Sequence, residues 1–146
     1  MHSVSVRPLA PRDAAAVARL SGELGYPASE QEIAARAAKL LANGAGGLFV
    51  AESGEGDVEG WIQVAEDAAL THEPQAVILG LVVSRARRRT GIGRELLREA
   101  ERWAASRGYR RIRLRSRVAR EEAHRFYLAC GYAIEKTQHA FTKALA

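Results

Sequence analysis

Residues 87–97 read RRRTGIGRELL, and Arg88, Arg89, Thr90, Gly91, Ile92, Gly93 and Arg94 stand there between an apolar run and an amphipathic one. A loop so placed offers an anion two things: backbone N–H groups that the first helical turn cannot pair internally, and the positive end of a helix dipole. Gly91 and Gly93 remove side chains where a phosphate must approach, and the arginines add charge. The helix-terminus effect alone contributes about 0.3 to 2 kcal/mol. Common nucleotide motifs fit poorly: the third glycine of a dinucleotide fingerprint would fall on Leu96, and the Gly-Lys-Ser/Thr of a P-loop is absent. A tight turn with solvated arginines is the competing reading of the string.

Other side chains able to do chemistry are scattered. Tyr127, in AHRFYLACGY, lies on an apolar helical edge with Ala123 and Phe126, and taken alone reads as a core aromatic. Cys130 is the single cysteine, so no intrachain disulfide or cysteine metal cluster can form; it ends the same stripe and reads as a small hydrophobe rather than a nucleophile. His124, one turn before Tyr127, either orients it, lines a cleft, or is a hydrogen-bonded structural histidine. His2 and His139 have no partner in sequence. No metal-ligand spacing such as His-x-x-x-His occurs, so no metal is expected.

The elements that must position these residues follow from periodicity. Residues 3–7 alternate as a strand that Pro8 ends, and a helix capped by Asp13 carries Val17, Leu20 and Leu24. Ser29 and Glu32 have capping-box spacing for a second helix ending at Asn43 and Gly44. GLFVAES and VEGWIQVAE around GEGD predict a hairpin, and DAALTHEP an irregular segment. QAVILGLVV, residues 75–83, suits a central strand covered on both faces, with a bulge or close approach at Gly80. A helix follows on Ile92, Leu96, Leu97, Ala100, Trp103 and Ala104. YRRIRLRSR alternates as a strand, a last helix covers about 120–130, and GYAIEKTQHAFTKAL supplies one or two final strands. The order β-α-α-β-β-β-α-β-α-β-β is an α+β chain with a mixed sheet.

With 146 residues and 47% hydrophobic content, the chain fits one domain, residues 1–146, with a real core. It has no apolar run of membrane-spanning length, and its first residues lack the pattern of a secretory signal, so a cytoplasmic location is expected. The net charge of +5 is uneven, because residues 85–125 hold fifteen arginines against five glutamates. Such a stretch meets nucleic acid, an anionic cofactor or an acidic substrate, and charge alone does not choose.

Together, VVSRARRRTGIGRELLREAE and AHRFYLACGY, separated by an alternating strand, resemble the GNAT superfamily of acyl-CoA-dependent N-acyltransferases, and the order of elements matches over nearly the whole chain. The resemblance implies a three-layer α/β/α domain around a mixed, mostly antiparallel sheet. It implies that Arg88, Arg89, Thr90, Gly91, Ile92, Gly93 and Arg94 bind the pyrophosphate of acetyl-CoA. Leu81, Val82 and Val83 would pair with the pantetheine arm, with an N–H near Val82 or Val83 polarising the thioester carbonyl. Tyr127 would protonate the departing thiolate. Three positions depart from the family pattern: Arg89 where glycine is frequent, Ser84-Arg85 in place of x-Pro, and Arg120 where asparagine often contacts the cofactor.

The resemblance also makes Glu73 the first candidate for the base and His72 the second, with plain surface roles as the alternative. Tyr26, Trp61 and Gln63 are candidates to line the acceptor pocket. Glu23, Glu30, Asp67 and Glu73 lean the acceptor toward a cation. The expected activity is acetyl transfer from acetyl-CoA to a small-molecule primary amine in a ternary complex, without nucleic acid or membrane partners and with a homodimer possible. Two readings compete: an arginine-rich nucleic-acid-binding domain, whose affinity would fall steeply with salt, and a CoA-binding sensor without turnover.

Overall fold

A computed structural model describes residues 4–44 and 46–146, so Ser3 of the first expected strand and His2 lie outside the described residues. The chain runs β1 (Val4–Pro8), α1 (Ala14–Glu23), α2 (Glu30–Asn43), β2 (Gly46–Ser53), β3 (Val58–Ala69), β4 (His72–Val83), α3 (Ile92–Ser106), β5 (Ile112–Leu114) and α4 (Glu121–Ala129). It divides into two units, Met1–Leu114 and Arg115–Ala146.

The first unit is built on one sheet in the order β1-β2-β3-β4-β5, antiparallel except that β5 joins β4 in parallel. Strand alternation assigns its faces. Val50, Trp61 and Val82 stand in register on one face and pack with Val17 and Leu20 of α1 and Ile33 and Ala37 of α2. The opposite face is covered by α3, whose Ile92, Leu96, Leu97, Ala100 and Ala104 are buried and whose first turns lie against Gly60 of β3. Trp103 stacks with Tyr109 at 5.8 Å between ring centroids, and the Tyr109 hydroxyl donates to Glu66, fastening the end of α3 to β3. The α/β/α layering and the mixed sheet match the expectation.

Four local differences from the sequence reading have physical causes. Asp13 does not cap α1. Its buried carboxylate accepts hydrogen bonds from Nη1 and Nη2 of Arg7, at 2.8 and 2.9 Å, and from the Ala10 N–H, so the ion pair outcompetes the cap. DAALTHEP is not irregular: β3 runs to Ala69 and β4 starts at His72, because Gln75 donates to Asp67 across the strands at 3.0 Å. The YRRIRLRSR strand pairs over three residues only. Residues 131–146 form neither helix nor strand, and Ile134, Phe141 and Leu145 are exposed, so no apolar face is covered to support pairing there.

The second unit is organised by α4. Tyr127 packs against Phe126 and, edge to face, against Tyr132, and the Tyr132 N–H returns to the Tyr127 carbonyl to close the helix end.

Candidate active site

The loop leaving β4 is held by its own first residues. Ser84 is buried and its N–H donates to the Glu59 carbonyl. The Arg85 N–H donates to the Glu23 carboxylate at 3.1 Å, and Arg87 stands 3.8 Å from Glu59. The Thr90 hydroxyl donates to the Arg87 carbonyl and closes the turn. Two of the loop's arginines are therefore structural.

From Arg88 onward the loop faces solvent. Among the described residues Arg88 has no hydrogen-bond or ion-pair partner. Gly91, at φ +90°, is the left-handed N-cap of α3, and no side chain caps the helix. The N–H groups of Ile92 and Gly93 thus have no intrahelical acceptor. The side chain of Ile92 is buried in the core, leaving its backbone to the loop. Arg89 sits at φ +65°, and among the described residues it is the one non-glycine with positive φ. That conformation costs a side-chain-bearing residue about 1 kcal/mol and explains why glycine suits the position. Its strain was legible in the sequence only as a departure from the family pattern.

β4 carries the expected irregularity. Gln63 faces Gly80 and Val64 faces Ile78, so Leu79 is the extra residue of a bulge. A Cβ on Gly80 would lie 2.7 Å from the Trp61 ring, so close approach and bulge coincide. Pairing of β4 with β5 stops at Ile78 and Leu114, and Leu81, Val82 and Val83 extend beyond the end of β5. The Val82 side chain is buried toward α1, which leaves the backbone as the group this segment can offer a ligand.

In the second unit Arg120 is the N-cap of α4, two turns before Tyr127. Burial pushes the Tyr127 phenol above the ordinary tyrosine range, the Arg120 charge opposes the shift and Cys130 adds to it. The hydroxyl has no hydrogen-bond partner among the described residues. His124 is structural: its Nε2–H donates to the Arg117 carbonyl at 2.8 Å. Cys130 is half-buried at the end of α4 rather than enclosed in a core. His139 lies in the segment without helix or strand.

Glu73, the first candidate for the base, stands near the start of β4. It is an exposed residue on β4 itself, eight residues before Leu81, and at about 3.3 Å per residue it lies about 26 Å from there along the strand. A base must reach the amine directly or through one water. His72 is one residue farther; its ring contacts the Glu73 carbonyl and stands 3.8 Å from Asp67. The proposed cationic lean also weakens. Glu23 is engaged by Arg85 and Arg19, and Asp67 by Gln75 and Arg113, while Glu30 is exposed at the start of α2. Tyr26 is exposed and Trp61 belongs to the core, whereas Gln63 does line a cleft. The leucines beside it, Leu40, Leu41 and Leu79, were missed because apolar residues in regular elements read as core.

A match to the acetyltransferase (GNAT) family spans residues 15–132. The chain belongs to that family. No curated protein sequence matches it. Among solved structures it is similar to the aminoglycoside antibiotic 6'-N-acetyltransferase AAC(6')-Ih of Acinetobacter baumannii, at 16% identity and TM-score 0.84 over 99% of this chain and 100% of that one. It is similar to the aminoglycoside N-acetyltransferase AAC(6')-Iy in complex with CoA, at 15% identity and TM-score 0.86 over 99% and 97%. Glucosamine-6-phosphate N-acetyltransferase from Arabidopsis thaliana is similar at 18% identity and TM-score 0.81 over 96% and 98%. At these identities the likeness establishes the fold.

Proposed function

We propose that the chain moves an acetyl group from acetyl-CoA to a primary amine of a small molecule by direct transfer in a ternary complex. The observation that carries this reading is the start of α3: an uncapped helix, a left-handed Gly91 and an unpartnered Arg88, which together suit a pyrophosphate. The family match crosses the boundary at Leu114, which supports one N-acetyltransferase domain over residues 1–146. The named structural relatives act on aminoglycosides and glucosamine-6-phosphate, which supports a small amine as acceptor. A cytoplasmic location belongs to the same reading; no helix of the described residues is long and apolar enough to cross a membrane.

When bound, acetyl-CoA supplies the thioester. Arg88 and the N–H groups of Ile92 and Gly93 hold the pyrophosphate, with Arg89, Thr90, Gly91 and Arg94 completing the loop and Arg120 adding positive charge. The Leu81–Val83 backbone aligns the pantetheine arm, and an N–H of Val82 or Val83 holds the acyl carbonyl where negative charge develops. The amine attacks as its free base, about one molecule in 2,500 at pH 7 for a pKa of 10.4. The N–C bond forms, the C–S bond breaks, the amine proton leaves to water, and Tyr127 gives its proton to the sulfur.

Thiol release by wild type and Tyr127→Phe tests the assignment. The variant should lose about 100-fold in kcat with little change in acetyl-CoA affinity, and unchanged turnover would remove Tyr127 from the mechanism. In the same assay kcat/KM should rise about tenfold per pH unit from pH 7 to 9, as free amine accumulates, and the loss due to Tyr127 should begin only above pH ~10, because its pKa is raised. A plateau near neutrality would instead reveal a protein base.

A further inference from the structure

In the first unit a cleft of about 250 Å³ opens between the end of α2, the start of β2 and the middle of β3, with Leu79 of β4 on its wall. Leu40, Leu41, Leu48 and Leu79 make it apolar, and Leu40, Leu41 and Leu79 are exposed at 39%, 43% and 55%. Gln63 stands in register between Leu48 and Gly80, so the cleft reaches the bulge immediately before Leu81–Val83. The Gln63 amide has no hydrogen-bond partner among the described residues. Asn43 and Glu66 complete the polar part of the lining, and mostly apolar walls with a few polar groups to fix orientation are the usual make-up of a small-molecule site.

We infer that this cleft receives the acceptor, and that the acceptor is a primary amine carried on a compact apolar body rather than a polycation. The inference rests on the transferase reading above, and it departs from the aminoglycosides named for the structural relatives. Its ground is the lining. The carboxylate there, Glu66, already accepts the Tyr109 hydroxyl at 2.9 Å, and the acidic residues that could have attracted a cation, Glu23 and Asp67, are engaged elsewhere. Apolar surroundings also disfavour the ammonium form, so the cleft raises the fraction of amine present as the attacking free base. Gln63 supplies the hydrogen bond that orients the ligand.

Steady-state thiol release from acetyl-CoA across propylamine, butylamine, pentylamine and hexylamine, with spermidine and an aminoglycoside as polycations, tests this. The expected result is a kcat/KM that climbs about fourfold per methylene and exceeds that of both polycations. Leu41→Asp, at an exposed position, and Gln63→Leu, which keeps the volume, should each raise KM for hexylamine about tenfold, while acetyl-CoA affinity and Tm stay at wild-type values. A flat alkylamine series, a preference for spermidine or the aminoglycoside, or variants with unchanged KM overturns the inference. If polycations are the preferred acceptors, the transferase reading survives and this one fails; if acetyl-CoA does not bind, both fail.

Discussion

Arg89 joins local conformation to binding in one residue. Its φ of +65° is one that glycine adopts freely, and it precedes the left-handed Gly91 by two residues. Arg89→Gly should therefore stabilise the protein by about 0.5 kcal/mol at most, after the larger conformational freedom that glycine brings to the unfolded chain is offset. The measurement is urea denaturation, and a lower midpoint would show that the arginine side chain stabilises more than its backbone costs. At this scale the sequence was readable where spacing sets local conformation, as at Gly91, the left-handed residue that starts α3. It was unreadable where position along an element decides: the start of β4 could not be located from Pro74, so the separation of Glu73 from Leu81, about 26 Å along the strand, follows only once both ends of the strand are known.

Two local features constrain the elements of the first unit. The bulge at Leu79 shifts β4 by one residue against β3, so that Gly80 comes under the Trp61 ring. Gly80→Ala should cost about 1 to 3 kcal/mol by overpacking, read as a lower denaturation midpoint, and it should raise KM for acetyl-CoA by displacing Leu81–Val83; wild-type values for both would remove the bulge from the account. The second feature is the turn at Pro11–Asp13, where Arg7 and the Ala10 N–H hold Asp13 below the usual carboxylate range, the Arg7 hydrogen bonds being the larger cause. The stabilisation belongs to ionised Asp13. It is fully present above the unfolded pKa of about 3.9 and is lost as pH falls through the lower folded value. Asp13→Asn should cost about 3 kcal/mol at pH 7 and flatten the pH dependence of stability below pH 4; an unchanged acid limb would mean that other carboxylates set it. Helix starts such as Ser29 with Glu32 were legible because capping chemistry is local. Asp13 was not, because its partner Arg7 is supplied by β1, and the length of β3 was not, because its pairing depends on Gln75 of the next strand.

Over the whole molecule, the basic character of residues 85–125 is partly neutralised within the fold. Arg87 meets Glu59, Arg98 meets Glu95, Arg102 meets Glu99 and Arg113 meets Asp67. The arginine count in the sequence therefore overstates what a long polyanion would encounter. The layer order was legible because each element carries its own period. The final strands were not, because the C-terminal pattern does not reveal that Ile134 and Phe141 stay uncovered. The most direct test of the central claim is thermal unfolding of the purified chain across increasing acetyl-CoA, with a short DNA duplex in parallel. Binding to the native state should add about 2.7 kcal/mol at 100 times Kd, a rise in Tm of about 8 °C for a chain of this size, with no shift from DNA. Stabilisation by DNA and none by acetyl-CoA would contradict the account.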